Sequence, residues 1–342
     1  MIGDLEHAAA GSGGLADTFG RVATDLRVSL TDRCNLRCSY CMPAEGLDWL
    51  PTEETLSDDE VIRLIRIAVE RLGVTEVRFT GGEPLVRRGF VDIVRRSAAL
   101  KPRPRLAVTT NGIGLARTAV ALKDAGLNRV NVSLDTVRED TFKQLTLRDR
   151  FHDVVAGLAA ATRAGLTPVK VNAVLIRGVN DDQAPELLRW CIAHGYELRF
   201  IEQMPLDAQH AWRREHMVAG EEILSQLRAV FTLTPDPQER GAAPAETWLV
   251  EGYEGAKVGV IASVTQPFCG ACDRTRLTAD GQVRNCLFSQ DETDLRGLLR
   301  GGADDDQIAE AWRTAMWGKH AGHGIDDASF LQPVRPMSAI GG

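Results

Sequence analysis

Between residues 25 and 202, short apolar runs rich in β-branched residues alternate with longer stretches whose apolar positions recur every three or four residues. Period two alternating with period 3.6 marks βα units, which build a parallel sheet covered by helices. Six strands are predicted, at Asp25–Leu30, Glu76–Thr80, Arg105–Thr110, Arg129–Leu134, Pro168–Val174 and Glu197–Glu202. The count points to a partial barrel; a doubly wound open sheet is the competing arrangement, and periodicity does not separate the two. The first helix declares its own start: Ser57 and Glu60 fit a capping box, Val61, Leu64, Ile65, Ala68 and Leu72 mark one apolar face, and Gly73 stops it.

After Glu202 the rhythm breaks. A Trp- and His-containing loop at His210–His216, a helix-like run at Glu221–Val230 and a Pro/Gly-rich stretch at Thr234–Pro244 follow. A domain boundary is expected there, dividing a barrel over residues 21–233 from a C-terminal region over 245–342. In the latter, Trp248–Val250 and Lys257–Val264 read as short antiparallel strands. Residues 1–20 hold Asp4, Glu6 and Asp17 and no Arg, so they read as a disordered leader rather than a signal or transit peptide.

Composition narrows the function. With 342 residues, 44% apolar and 25% charged, the chain has the make-up of a soluble globular protein. No apolar run approaches the roughly 18 residues of a membrane span, so a cytoplasmic protein without membrane contact is expected. A net charge of −7 argues against a nucleic-acid partner, and any anionic substrate must meet a local basic pocket. The seven cysteines fall as two clusters of three with Cys191 left over, which suits metal ligation better than disulfide pairing.

The first cluster, Cys34, Cys38 and Cys41, is spaced C-x3-C-x2-C directly after the first predicted strand. Thiolates are the usual ligands of iron–sulfur clusters, and three of them leave one iron of a four-iron cubane open to a bidentate small molecule. A zinc knuckle lacking its fourth ligand is the alternative for these residues taken alone. At the end of the second strand Phe79-Thr80-Gly81-Gly82-Glu83-Pro84 follows, where paired glycines allow a ligand to approach the backbone closely. Together these segments resemble the defining pattern of the radical S-adenosylmethionine superfamily. The resemblance implies a partial (β/α)6 barrel, a cluster that cleaves S-adenosylmethionine to a 5′-deoxyadenosyl radical, and a cofactor site at Tyr40, Gly82, Ser133 and Met204.

The second cluster, Cys269, Cys272 and Cys286, is spaced C-x2-C-x13-C. Structural zinc with His320 or His323 as a fourth ligand is one reading, and a second cluster with an open iron is the other. The two triads, with Asp-Arg-Thr-Arg-Leu-Thr-Ala-Asp-Gly following Cys272, closely resemble the GTP 3′,8-cyclase family of molybdenum cofactor biosynthesis over about residues 20–342. That resemblance implies two [4Fe-4S] clusters and a C-terminal auxiliary-cluster region that closes the barrel. It implies abstraction of the ribose C3′ hydrogen of GTP and attack on guanine C8, giving (8S)-3′,8-cyclo-7,8-dihydroguanosine 5′-triphosphate.

A triphosphate needs several cations in an acidic protein, with Arg offering bidentate contacts. Arg27, Arg78, Lys170 and Arg199 lie on predicted strands, and Arg274 and Arg276 flank Thr275, two residues apart and so pointing the same way if extended. By resemblance these, with Thr109, contact GTP, and the tail Gly341-Gly342 threads into the active site and joins the catalytic residues. The resemblance further implies an electron donor such as flavodoxin or ferredoxin and hand-over to the downstream cyclic pyranopterin monophosphate synthase, and it allows a homodimer. Two other readings remain open: a peptide-maturing enzyme with an auxiliary cluster, for which the basic positions have no use, and an electron carrier or zinc module, for which Gly81-Gly82-Glu83 has none.

Overall fold

The computed structural model describes residues 13–341. All six predicted strands form, as β3 (Asp25–Ser29), β4 (Glu76–Thr80), β5 (Arg105–Thr110), β6 (Arg129–Ser133), β7 (Val169–Val174) and β8 (Glu197–Ile201), after a small antiparallel pair, β1 (Leu15–Ala16) and β2 (Val22–Ala23). Between them run α1 (Asp58–Arg71), α2 (Phe90–Ala98), α3 (Leu115–Asp124), α4 (Glu139–Thr146), α5 (Phe151–Arg163) and α6 (Ala184–His194). The capping box of α1 is closed in both directions, Glu60 N to Ser57 Oγ at 3.2 Å and Ser57 N to Glu60 Oε2 at 2.7 Å, and the predicted apolar face is buried.

β3 to β8 stand side by side in sequence order and all run parallel. A doubly wound sheet would reverse direction midway, whereas a one-way order curls toward a barrel with helices outside. Strand alternation then assigns the faces. Leu26, Val28, Val77, Phe79, Leu106, Val108, Val130, Val132, Leu198 and Phe200 belong to one continuous core. The alternate set, Arg27, Arg78, Thr109, Asn172 and Arg199, lines an internal cavity.

The chain past the expected boundary does not fold apart from this sheet. After α7 (Gly220–Arg228), β9 (Leu233–Pro235), β10 (Glu246–Val250) and β11 (Lys257–Ile261) form an antiparallel meander whose last strand adds in parallel to β8. β12 (Arg274–Leu277) adds in parallel to β3 at the opposite edge, followed by β13 (Gln282–Arg284) and β14 (Thr293–Asp294). Parallel pairing is thus continuous from β12 through β3–β8 to β11, and the sheet stays open between its ends. α8 (Leu295–Arg300) and α9 (Asp305–Trp317) pack beside β13, and α10 (Met337–Ile340) brings Met337 and Ser338 to the cavity.

The expected disordered leader requires correction over residues 13–20; its remainder, 1–12, lies outside the described residues. Leu15 is fully buried, and the Asp17 carboxylate accepts from Phe19 N and holds Arg21 at 2.5 Å. Arg21 in turn donates to the carbonyls of Cys269, Ala321 and His320, so this segment braces the second cysteine loop.

Candidate active site

The β3–α1 loop carries the first thiol triad, and its backbone wraps inward through Cys41 N to Cys38 O at 2.8 Å and Met42 N to Cys38 O at 3.0 Å. Cys34, Cys38 and Cys41 all face one cavity of about 340 Å³, within the range of small-molecule sites. Burial pushes the Cys34 and Cys38 thiols up and Cys41 up to about 12, so these sulfurs need a metal to become anionic. Gly81-Gly82 packs against this loop so tightly that a Cβ on Gly82 would overlap the Asp32 and Arg33 carbonyls. Tyr40, Gly82, Ser133 and Met204 all line the cavity.

Glu83 and Asp135 also line it; the sequence offers a carboxylate or carbonyl of the Gly-Gly-Glu segment to a ligand amine, and gives Asp135 no role. Glu83 accepts from Thr110 Oγ1 at 2.7 Å, Asn111 N at 2.6 Å and Leu85 N at 2.9 Å; burial outweighs these bonds and raises its carboxyl to about 7. Asp135 accepts from Tyr40 Oη at 2.7 Å and Val174 N at 2.9 Å, and burial raises it to about 6. A carboxylate just past the end of a barrel strand is the signal that could have found Asp135.

The second triad faces the same cavity from the other side. Cys269 opens a short 3-10 turn, Cys269–Ala271, that brings Cys272 N to Cys269 O at 3.1 Å, and Cys286 comes from the loop after β13. Burial alone would raise Cys272, yet the ammonium of Lys319 and the guanidinium of Arg274 bring its thiol below the ordinary value. Among the described residues no three His, Cys, Asp or Glu side chains converge tightly enough to hold a single metal ion. A cubane takes each thiolate on a different iron, so its ligands ring a volume instead of meeting at a point. The ring of His323, a candidate fourth zinc ligand, is already engaged at both nitrogens, by Ser263 O at 3.0 Å and Ile325 N at 3.1 Å. The His320 side chain is exposed. All six cavity cysteines are free thiols, and a soft donor set on two walls of one cavity fits iron–sulfur clusters better than zinc.

The cavity floor is cationic. Registry sets Arg276 opposite Arg27 and Arg27 opposite Arg78, so three adjacent strands present a row of arginines on one face. Asp25, at 3.7 Å from Arg27 and 3.5 Å from Arg78, answers part of that charge, and Glu76 pairs with Arg78 at 2.8 Å. Burial and the neighbouring guanidiniums pull Arg27 well down, Arg199 to about 9 and Arg276 to about 10. The buried Nε atoms of Arg27, Arg78 and Arg274 have no hydrogen-bond partner. Buried donors left unmade and like charges in a row are both costly, and an anionic ligand relieves both. Arg199 donates twice to Asn172, at 3.0 and 2.7 Å, a cavity residue that the sequence reading missed because an Asn in a strand carries no signal of its own.

Two expected substrate contacts have other partners in this structure. Thr275 lies between Arg274 and Arg276 on β12, so strand alternation turns it away from the cavity; its hydroxyl accepts from Trp312 Nε1 at 2.9 Å beneath α9. Lys170 lies two residues before Asn172 on β7, opposite Glu197, and pairs with that carboxylate at 2.5 Å. Gly341 does enter the barrel. Its carbonyl accepts from Arg276 Nη1 at 2.9 Å, its φ is +80°, and a Cβ there would overlap Thr80 Oγ1 and Ser29 Oγ. Gly342 lies outside the described residues.

A one-way βα sheet with a CxxxCxxC loop after its first strand and a Gly-Gly-Glu turn after the next defines a radical S-adenosylmethionine enzyme, a class that carries a [4Fe-4S] cluster and S-adenosylmethionine. The Radical SAM superfamily model matches residues 28–191, and the model described as Molybdenum Cofactor Synthesis C matches residues 196–325. The fold resembles that of native anSMEcpe with bound AdoMet, at TM-score 0.56 and 14% identity, over 88% of this chain and 82% of that one. The chain is 69% identical to a GTP 3′,8-cyclase of Streptomyces coelicolor, covering 96% of each. It is 64% identical to one of Mycolicibacterium smegmatis, over 98% of this chain and 93% of that one. The chain belongs to the GTP 3′,8-cyclase family. No helix among the described residues is long and apolar enough to cross a membrane.

Proposed function

We propose that this enzyme converts GTP to (8S)-3′,8-cyclo-7,8-dihydroguanosine 5′-triphosphate, the first step of molybdenum cofactor biosynthesis. The observation that carries the reading is the row Arg276–Arg27–Arg78 on the floor of a cavity walled by two thiol triads. Cys34, Cys38 and Cys41 would hold one [4Fe-4S] cluster and Cys269, Cys272 and Cys286 a second. Bound there with S-adenosylmethionine, the first would supply the 5′-deoxyadenosyl radical that takes the C3′ hydrogen.

The chain's own residues bind and orient. Arg27, Arg78, Arg199, Arg274 and Arg276 neutralise the triphosphate and fix its direction, so that the ribose and guanine extend toward the thiol-lined walls. Thr109, on the same face of β5, offers a hydroxyl to the nucleotide. Tyr40, tied to Asp135, and the Gly82 backbone shape the S-adenosylmethionine side with Ser133 and Met204. Gly341 fills the space between Ser29 and Thr80 and hands its carbonyl to Arg276, setting that guanidinium for its phosphate contact. Lys170, through Glu197, serves the barrel below the site, and Thr275 serves the packing of α9. The same reading places the enzyme in the cytoplasm, served by an electron donor of the flavodoxin or ferredoxin type and delivering its product to cyclic pyranopterin monophosphate synthase, as a monomer or homodimer.

The test is anaerobic reconstitution with iron and sulfide, then incubation with a reductant and S-adenosylmethionine. GTP should accelerate 5′-deoxyadenosine release and yield a cyclic dihydro-GTP. Stimulation by a peptide and not by GTP would overturn the reading.

A further inference from the structure

Lys319 lies two residues past the end of α9, its side chain almost wholly buried, and the chemistry above gives it no task. Its ammonium donates to Cys272 Sγ at 3.3 Å, to the Cys272 carbonyl at 3.3 Å and to the Arg274 carbonyl at 3.0 Å. Those three contacts use all three N–H bonds of an ammonium. No carboxylate among the described residues forms an ion pair with it, which is unusual, because a buried ammonium without a compensating anion is strongly disfavoured. The anion that fits is the sulfur: a cysteine that ligates iron does so as a thiolate, and an ammonium facing a thiolate makes a charge-assisted hydrogen bond.

The two triads differ in this respect. Cys272 Sγ is also approached by Arg274 Nη1 at 3.7 Å, so two cations address one sulfur. At the first triad Cys34 Sγ receives only neutral donors, Leu36 N at 3.4 Å and Asn111 Nδ2 at 3.8 Å. Hydrogen bonds to sulfur and local positive charge stabilise the more negative, reduced state of a cluster. The carbonyl bonds add a mechanical part, since they bracket Asp273 and fix the start of β12, from which Arg274 and Arg276 reach the cavity.

We propose that Lys319 is a positioning residue of the second cluster, which secures the iron–sulfur group at Cys272 and makes that cluster easier to reduce than the first. The inference rests on the second triad holding a cluster.

The experiment uses the full chain with Cys34, Cys38 and Cys41 replaced by Ala, so that only the second triad reports. After anaerobic reconstitution, iron content, iron release to a chelator and the midpoint potential are measured for Lys319, Lys319→Met and Lys319→Arg. Lys319→Met should release iron about tenfold faster or more, as loss of a ligand-orienting partner does, and titrate at a more negative potential. Lys319→Arg keeps the charge and should recover most of the potential. Unchanged release and potential in Lys319→Met overturn the proposal. So does loss of far-UV circular dichroism and of the first cluster when Lys319→Met is made in the otherwise native chain, which would mark a folding residue. Failure of the parent triple variant to hold any iron overturns the two-cluster reading itself, and this proposal with it.

Discussion

At Gly341 the missing side chain is what the position contributes. Its φ of +80° and its seat between Ser29 and Thr80 exclude any Cβ. Gly341→Ala should therefore withdraw the carbonyl from Arg276 and lower cyclisation at least about tenfold, consistent with loss of one charge-assisted hydrogen bond, while iron content stays at the parent level. Product assay beside iron analysis separates the two effects. Thr275 tests the opposite case. Thr275→Val keeps the shape and strands Trp312 Nε1 without an acceptor, so it should cost about 1–3 kcal/mol of stability in denaturant titration and leave the KM for GTP unchanged. A rise in KM without a stability loss would return Thr275 to the substrate site. The contrast was available in the sequence: if Arg274 and Arg276 share a face, Thr275 cannot lie on it. Lys170 was harder to read, because nothing in its local pattern says how far along a strand the cavity floor extends.

Among the elements, those with clean periodicity were legible nearly to the residue. The outward faces of β3 to β8 and the capped helix α1 needed nothing beyond apolar spacing and cap chemistry. β12 escaped because it is short: Arg274 and Arg276 take its cavity face, and Thr275 and Leu277 leave a single apolar residue on the other, too few to show a period. α9 had a readable start, an Asp304–Gln307 capping box closed at 2.8 and 3.0 Å, which went unused. α1 is tied to the C-terminal region by Arg300 on Glu60 at 2.7 Å and by Arg63 on Asp305 at 2.8 Å. The bond from Arg300, together with the Ser57 cap, holds the Glu60 carboxyl down to about 2, against an ordinary 4.5. A depressed carboxyl stabilises the fold above its unfolded value and loses that contribution as pH falls through the folded one. Glu60→Gln should thus destabilise the protein at pH 7 by about 1 kcal/mol or less, the Arg300 partner being exposed, and the difference should shrink to a small fraction as pH falls to 2. Denaturant titrations of both proteins at the two pH values check the sign.

For the molecule as a whole, the chain's acidic balance concealed the character of its interior. A net charge of −7 coexists with a floor of arginines because acidic residues crowd the outer helices, such as Asp58, Asp59 and Glu60 at the start of α1. What no local signal could supply is the pairing across the sheet. β3 binds β4 on one side and β12 on the other, so Arg27 and Arg276, neighbours in the arginine row, are separated by most of the chain. That arrangement bears on how the protein is made. During synthesis from the N-terminus, one edge of β3 stays bare until residues 274–277 have left the ribosome, and bare parallel edges invite association with other chains. The second thiol triad emerges over the same interval, so the nascent chain completes its sheet and presents the last of its cavity thiols together. A ribosome that stalls before β12 leaves a sticky sheet with half a site, and the cell gains no partly working enzyme from it.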